Sequence, residues 1–170
     1  MTATEESSSK RLLEELHRLK DIEEIKQLKA RYFRYVDLHW WPELRDLFTD
    51  DAVFEIEEST TSPRDVGEFI NSLERHLRGA VSVHHGHMPE IELLDTDTAR
   101  GIWAMFDVVE PPASSGYPVL TGFGHYTEEY RRVGGRWRIG RLRLTRLKRT
   151  VDGRVVDDAD VRGRRDFVEP

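Results

Sequence analysis

Residues 80–94, AVSVHHGHMPEIELL, decide how the chain is read. Before Gly79 the apolar residues recur at steps of three and four, and after it they alternate with polar ones. A helix returns side chains to one face every ~3.6 residues and a strand every second residue, so the change marks the passage from helices to a sheet. The stretch also holds His84, His85 and His87, three of the chain's seven histidines. In a regular strand His85 and His87 share one face and His84 takes the other. One metal ion cannot reach all three rings unless the strand bulges, which Gly86 would permit. His-x-His is a ligand pattern, and a third donor would have to come from Asp107 or His125. A general base asks for less: one ring in a pocket, oriented by a carboxylate.

Upstream, Leu12, Leu16, Leu19, Ile22, Ile25, Leu28, Tyr32 and Val36 mark one face of a long helix starting near Arg11. Its first part, RLLEELHRLK (11–20), either packs on its own domain or projects to pair with another chain. Residues 1–9 are polar and expected to be disordered. Pro42 suits the first turn of a short helix over 42–48. Asp50 and Asp51 are expected to turn into a strand at 52–57. A second long helix covers 64–77, with Ser62 as cap, Pro63 as first residue and Gly79 as terminator.

Downstream, residues 99–110, 119–133 and 136–149 carry the two-residue period of strands. Gly134-Gly135 reads as a hairpin turn and Asp95-Thr96-Asp97 as another. Residues 111–118, PPASSGYP, form a loop, and the tail over 151–170 is a charged extension. One domain over 10–150 follows. Helices first and an antiparallel meander afterwards predict an α+β fold. In it a curved antiparallel sheet packs with N-terminal helices around a cone-shaped pocket, which suits a small apolar ligand.

Composition narrows the partners. The 170 residues are 38% hydrophobic and 34% charged, with a net charge of −6. Nucleic acid is not expected, because phosphate binding needs a concentrated basic face. The basic run at 141–150 alternates with leucines, as one wet and one buried face of a strand would. Cysteine is absent, which removes disulfides, thiolate nucleophiles and cysteine zinc sites. No run approaches the ~20 apolar residues of a membrane span, and the N-terminus lacks the apolar core of a signal peptide. A cytoplasmic protein is the expectation.

Several polar residues stand where apolar ones would serve better. Asp37 lies at a helix C-terminus, where the macrodipole disfavours a carboxylate. It is either a solvated turn residue or the acceptor for a buried donor. Tyr32 shares the apolar stripe, as a core residue or as the wall of a cavity, and its hydroxyl needs a partner if buried. Asp107 sits among apolar neighbours in IWAMFDVV, and Arg146 in RLRLTRLKR; the solvent face of a strand would explain either.

The pieces IEEIKQLKARYFRYVD (22–37), HHGHMPEIEL (84–93), DTDTARGIWAMFD (95–107) and GHYTEEYRRVGGRWRI (124–139) carry a resemblance. Over about residues 18–148 the chain resembles the SnoaL-like branch of the nuclear transport factor 2 fold superfamily, and within it the bile-acid 7α-dehydratases. The resemblance implies catalytic roles for Tyr32, Asp37 and His84, the last being the first histidine of an H-x-G-H-x-P-E-I pattern. It implies substrate contacts for Asp107 and Arg146. The Asp–His pair is similar to the dyad of the related dehydrochlorinase. The chain departs from the pattern near Ile56, where the relatives carry a pocket tyrosine, and in the loop between Val109 and Val119.

The implied activity is a cofactor-free, metal-free dehydratase-type lyase or isomerase acting on a hydrophobic ring compound such as a steroid, terpenoid or polyketide. His84 would take a proton, Asp37 would hold the ring's other nitrogen, and Tyr32 would donate to a developing oxyanion. Phe33, Trp40, Phe54, Phe69, Trp103 and Phe123 are candidate apolar walls. A polyketide-cyclase-like enzyme and a non-catalytic ligand-binding or dimerisation module are the alternatives. A homo-oligomer, dimer or trimer, is expected, since the superfamily commonly pairs through the outer sheet face.

Overall fold

The computed structural model describes residues 3–56 and 65–156. Three helices, α1 (Ala3–Asp37), α2 (Trp41–Arg45) and α3 (Val66–His76), pack with a six-stranded sheet. Its strands are β1 (Phe48–Ile56), β2 (Val81–Leu93), β3 (Thr98–Glu110), β4 (Leu120–Val133), β5 (Arg136–Val151) and β6 (Arg154–Val156). The spatial order is β1-β5-β4-β3-β2, with β6 paired to β5. Strands β2 to β5 are the expected antiparallel meander, but β1 runs parallel to β5. The sheet is therefore mixed rather than wholly antiparallel.

Helix α1 buries Ile25, Leu28, Lys29, Tyr32, Phe33 and Val36, the spacing of one helical face. It docks on the inner side of β2 and β5. The helix starts at Ala3, not Arg11, so residues 3–9 are helical rather than disordered; Glu5 and Glu6 in the first turn favour it through the macrodipole. Residues 5–20 are exposed, including Leu12, Leu13, Leu16 and Leu19, so the first half of α1 projects from the domain. No helix of the described residues is long and apolar enough to cross a membrane.

Other boundaries moved for local reasons. Asp50 and Asp51 lie inside β1, whose register shifts between Phe48 and Val53. Asp65 caps α3, its carboxylate accepting the Glu68 amide at 2.8 Å. The expected Ser62 cap and Pro63 lie outside the described residues. Gly79 does take the left-handed conformation that closes the helix, with φ 71°. Gly134 and Gly135, both at positive φ, make the β4–β5 hairpin, and Asp95 closes the β2–β3 turn by accepting the Asp97 and Thr98 amides. The tail was expected to begin at Val151, but Asp152 and Gly153 form another positive-φ turn and β6 follows.

The sheet bends at register shifts in β2 and β5. In β2 the shift falls after His87, with Met88 at φ 39°, so Gly86 is not the bulge. Gly86 has another duty: a Cβ there would lie 2.6 Å from the Phe33 ring, so only glycine lets α1 settle on the strand.

Candidate functional site

A cavity of about 390 Å³ opens between the end of α1, helix α3 and the inner face of β3, β4 and β5. Its walls are mostly apolar: Val36, Ile56, Phe69, Leu73, Leu77, Val109, Leu120 and Leu144. Four polar side chains that the sequence singled out also line it: Tyr32, His84, Asp107 and Arg146. A largely apolar pocket with a few convergent polar groups is the usual form of a small-molecule site.

Asp37 stands behind His84. Its carboxylate accepts the Ser82 hydroxyl at 3.0 Å and the His84 backbone amide at 2.9 Å. Its Oδ1 also lies 2.6 Å from His84 Nδ1. Three donors answer the unfavourable helix C-terminus; this carboxylate is partnered, not a solvated turn residue. The helix end is shaped to hold it there: His39 takes φ 57° and the Trp40 amide reaches back to the Tyr35 carbonyl at 2.8 Å. The carboxylate can only accept, so Nδ1 carries the proton and Nε2 is left as the imidazole's basic nitrogen. Strand alternation delivers Ser82 and His84 to the same inner face.

Across the cavity Arg146 Nη1 donates to Asp107 Oδ2 at 2.7 Å, and both residues are almost wholly buried. Arg146 therefore belongs to the buried face of β5, with Leu142 and Leu144, and not to solvent. Gly122, paired with Asp107 in the β3–β4 register, makes room for this contact. A Cβ at Gly122 would fall 2.0 Å from Arg146 Nη1 and 2.5 Å from Asp107 Oδ1. Asp107 Oδ1 is buried with no hydrogen-bond partner among the described residues.

Tyr32 and Tyr126 stand edge to face at the cavity, ring centroids 6.0 Å apart. Burial, with the Glu128 carboxylate next in effect, holds the Tyr32 phenol well above its ordinary range. Tyr32 is therefore a neutral donor, suited to an oxygen gaining negative charge.

The SnoaL-like domain pattern matches residues 17–143. The chain belongs to the SnoaL-like family. A sequence relative is the "Probable cyclase FGR4" of Gibberella zeae, 26% identical over 72% of this chain and 89% of the relative. Among solved structures, a hexachlorocyclohexane dehydrochlorinase (LinA, type 2) superposes with a TM-score of 0.71 at 21% identity, covering 81% of this chain and 92% of that one. A candidate scytalone dehydratase of Novosphingobium aromaticivorans gives 0.72 at 20%, covering 87% and 97%. At such identities these structures establish the shared fold.

Against this SnoaL-like frame, three expected substrate contacts do not line the cavity. Trp40 follows α1 on the outside, half exposed and tilted against Tyr35. Trp103 faces inward but fills the core, its indole N–H donating to Tyr130 at 2.8 Å. Phe54 lies behind Phe69, stacked at 4.1 Å, and only Phe69 meets the cavity. Phe33 packs on Gly86, and Phe123 lies on the outer face near Phe106. Ile56 does line the cavity.

His85 and His87 are exposed on the outer face, their rings 5.8 Å apart, with Phe106 beside His85. Among the described residues no three imidazole or carboxylate groups come together as metal ligands. Sequence reasoning missed Ser82 and Tyr126. Ser82 shares its strand parity with His84, and that was the signal available for it.

Proposed function

We propose that the protein is a cofactor-free lyase or isomerase that removes a proton from a hydrophobic ring compound, with His84 as the base. The contact between Asp37 Oδ1 and His84 Nδ1 carries this assignment, because it leaves Nε2 basic on a ring that lines an apolar cavity. In the reaction Nε2 takes a proton beside a carbonyl or similarly activated carbon. Asp37 stabilises the imidazolium that forms. Tyr32, with Tyr126 beside it, donates to the oxygen that becomes an enolate, and loss of a β-hydroxyl or a shifted double bond completes the turnover. Asp107 and Arg146 bind polar ends of the substrate. The resemblance to the bile-acid 7α-dehydratases favours elimination of water from a hydroxysteroid. The relation to a fungal protein named as a cyclase supports ring closure as the second reaction, on the same residues.

The test is a screen of hydroxysteroids and hydroxy-ketones for loss of water, followed by His84→Ala on any compound turned over. A positioned base contributes ~10²–10⁴-fold, and a loss of that size is expected. Full turnover by His84→Ala would remove His84 from the mechanism.

A further inference from the structure

Beneath the cavity lies a buried charge that the proposed reaction does not use. Lys29 is fully buried one helical turn before Tyr32, and its ammonium donates to the Glu128 carboxylate, which is equally buried. The other Glu128 oxygen accepts the Tyr130 hydroxyl at 2.5 Å, and Tyr130 in turn accepts from Trp103. Neither Lys29 nor Glu128 lines the cavity. Instead Lys29 Nζ lies 3.5 Å from the Tyr126 ring centroid, 4.1 Å from that of Tyr32 and 4.7 Å from that of Phe33. Two of these three rings are the phenols of the cavity wall.

A fold gains little from such a pair. Burying two charges costs several kcal/mol each, and well-packed apolar residues usually serve stability as well. The placement has an electrical consequence instead. A cation against a phenol's π-face withdraws electron density and favours negative charge on its oxygen, the more so where water is excluded. Tyr32 and Tyr126 both line the cavity, and a phenol hydroxyl can donate to a ligand there.

We propose that Lys29 is a positioning residue for the oxyanion: fixed by Glu128, its ammonium polarises Tyr32 and Tyr126 from behind and makes the pair a stronger donor to negative oxygen in the cavity. The proposal rests on the enolate chemistry assigned above and adds the group that strengthens it. Burial, opposed by Glu128, pushes the Lys29 ammonium down to about 8, so the donor is strongest where Lys29 is charged. The groups facing that ammonium are Glu128 and Tyr126 from β4 and Tyr32 from its own helix, with Tyr130 on the far side of Glu128.

The experiment uses two ring probes of nearly equal shape, 4-nitrophenolate and nitrobenzene, with affinities measured by titration calorimetry. The wild-type protein should bind both and prefer the anion. Lys29→Met with Glu128→Gln, which leaves no unpaired buried charge, should weaken nitrophenolate at least tenfold and nitrobenzene less than twofold. The same change in a Tyr32→Phe, Tyr126→Phe background should do nothing further. Equal weakening of both probes would mark Lys29 as merely structural, and no weakening would overturn the proposal. Should the double variant fail to fold, the wild-type protein still decides. Its affinity for the nitrophenolate anion, corrected for the probe's own protonation at each pH, should fall between about pH 7 and 9.5 while that for nitrobenzene holds, since the buried phenols keep their protons there. A level nitrophenolate affinity would refute the role of Lys29. If neither probe binds, the cavity reading itself fails and this proposal goes with it. If both bind but the variants do not discriminate, only the role of Lys29 is lost.

Discussion

Asp37→Asn is nearly isosteric and tests the site without a substrate. The wild-type carboxylate meets three donors: the Ser82 hydroxyl, the His84 amide and His84 Nδ1. Asparagine keeps one acceptor oxygen and replaces the other by an NH₂ group, which must face at least one of those donors. If the oxygen stays on the backbone amide, the NH₂ confronts Nδ1–H, and the ring must move its proton to Nε2. The imidazole then accepts from the amide at Nδ1, and the basic nitrogen is lost from the cavity. Hydrogen bonds to a charged group contribute ~1.5–3 kcal/mol each. With one such bond lost and the others made neutral, about 2–3 kcal/mol of stability should go. The assays are a urea titration and nitrogen NMR of ring-labelled histidine, which separates the two tautomers. The expected spectrum has His84 as Nδ1–H in the wild type and Nε2–H in the variant, with turnover reduced ~10²–10⁴-fold once a substrate is known. A His84 tautomer that does not change, with stability lowered by less than about 0.5 kcal/mol, would refute the orientation argument.

Gly122→Ala should break the far side of the cavity. The new methyl carbon would overlap Arg146 Nη1, and parting a buried ion pair costs ~3–5 kcal/mol, so a fall of about 3 kcal/mol is expected in urea; an unchanged midpoint would mean that the pair is not held as tightly as its geometry implies. Stability should also respond to alkaline pH. Burial holds Tyr32, Tyr126 and Tyr130 above the ordinary 10.0, so the folded chain keeps three protons that the unfolded chain sheds. Their contribution is complete below about pH 10 and drains above it. Lys29, lowered from 10.5 to about 8, acts in the opposite sense and gains stability with pH across that interval. The urea midpoint should therefore be level or rising from pH 8 to 10 and fall beyond; a midpoint still climbing at pH 11 would contradict the burial of the phenols.

The parts of this protein that were legible in its sequence are those in which neighbours along the chain decide the outcome. The change of period at Gly79, the glycine turn at 134–135 and the Asp95 turn are local, and each lies where its chemistry predicted. Strand parity also separated His84 from His85 and His87 without knowledge of the fold. Parity cannot tell which residue on the inner face reaches a cavity and which fills the core. Trp103 and Asp107 share the inner face of β3, yet only Asp107 meets the cavity, because Tyr130 and Gly86 on neighbouring strands capture the indole. The basic run of β5 concealed Arg146 for a similar reason. A charge on the inner face is tolerable only with a partner, and the partner, Asp107, comes from a strand 39 residues away with Gly122 between them. Lys29 and Glu128 are the extreme case. Lysine at a helical position reads as a solvated face, and its burial depends on a carboxylate 99 residues later. Pairs of opposite charge at inward parity on elements that the topology brings together are thus where a site can hide in a sequence read one element at a time.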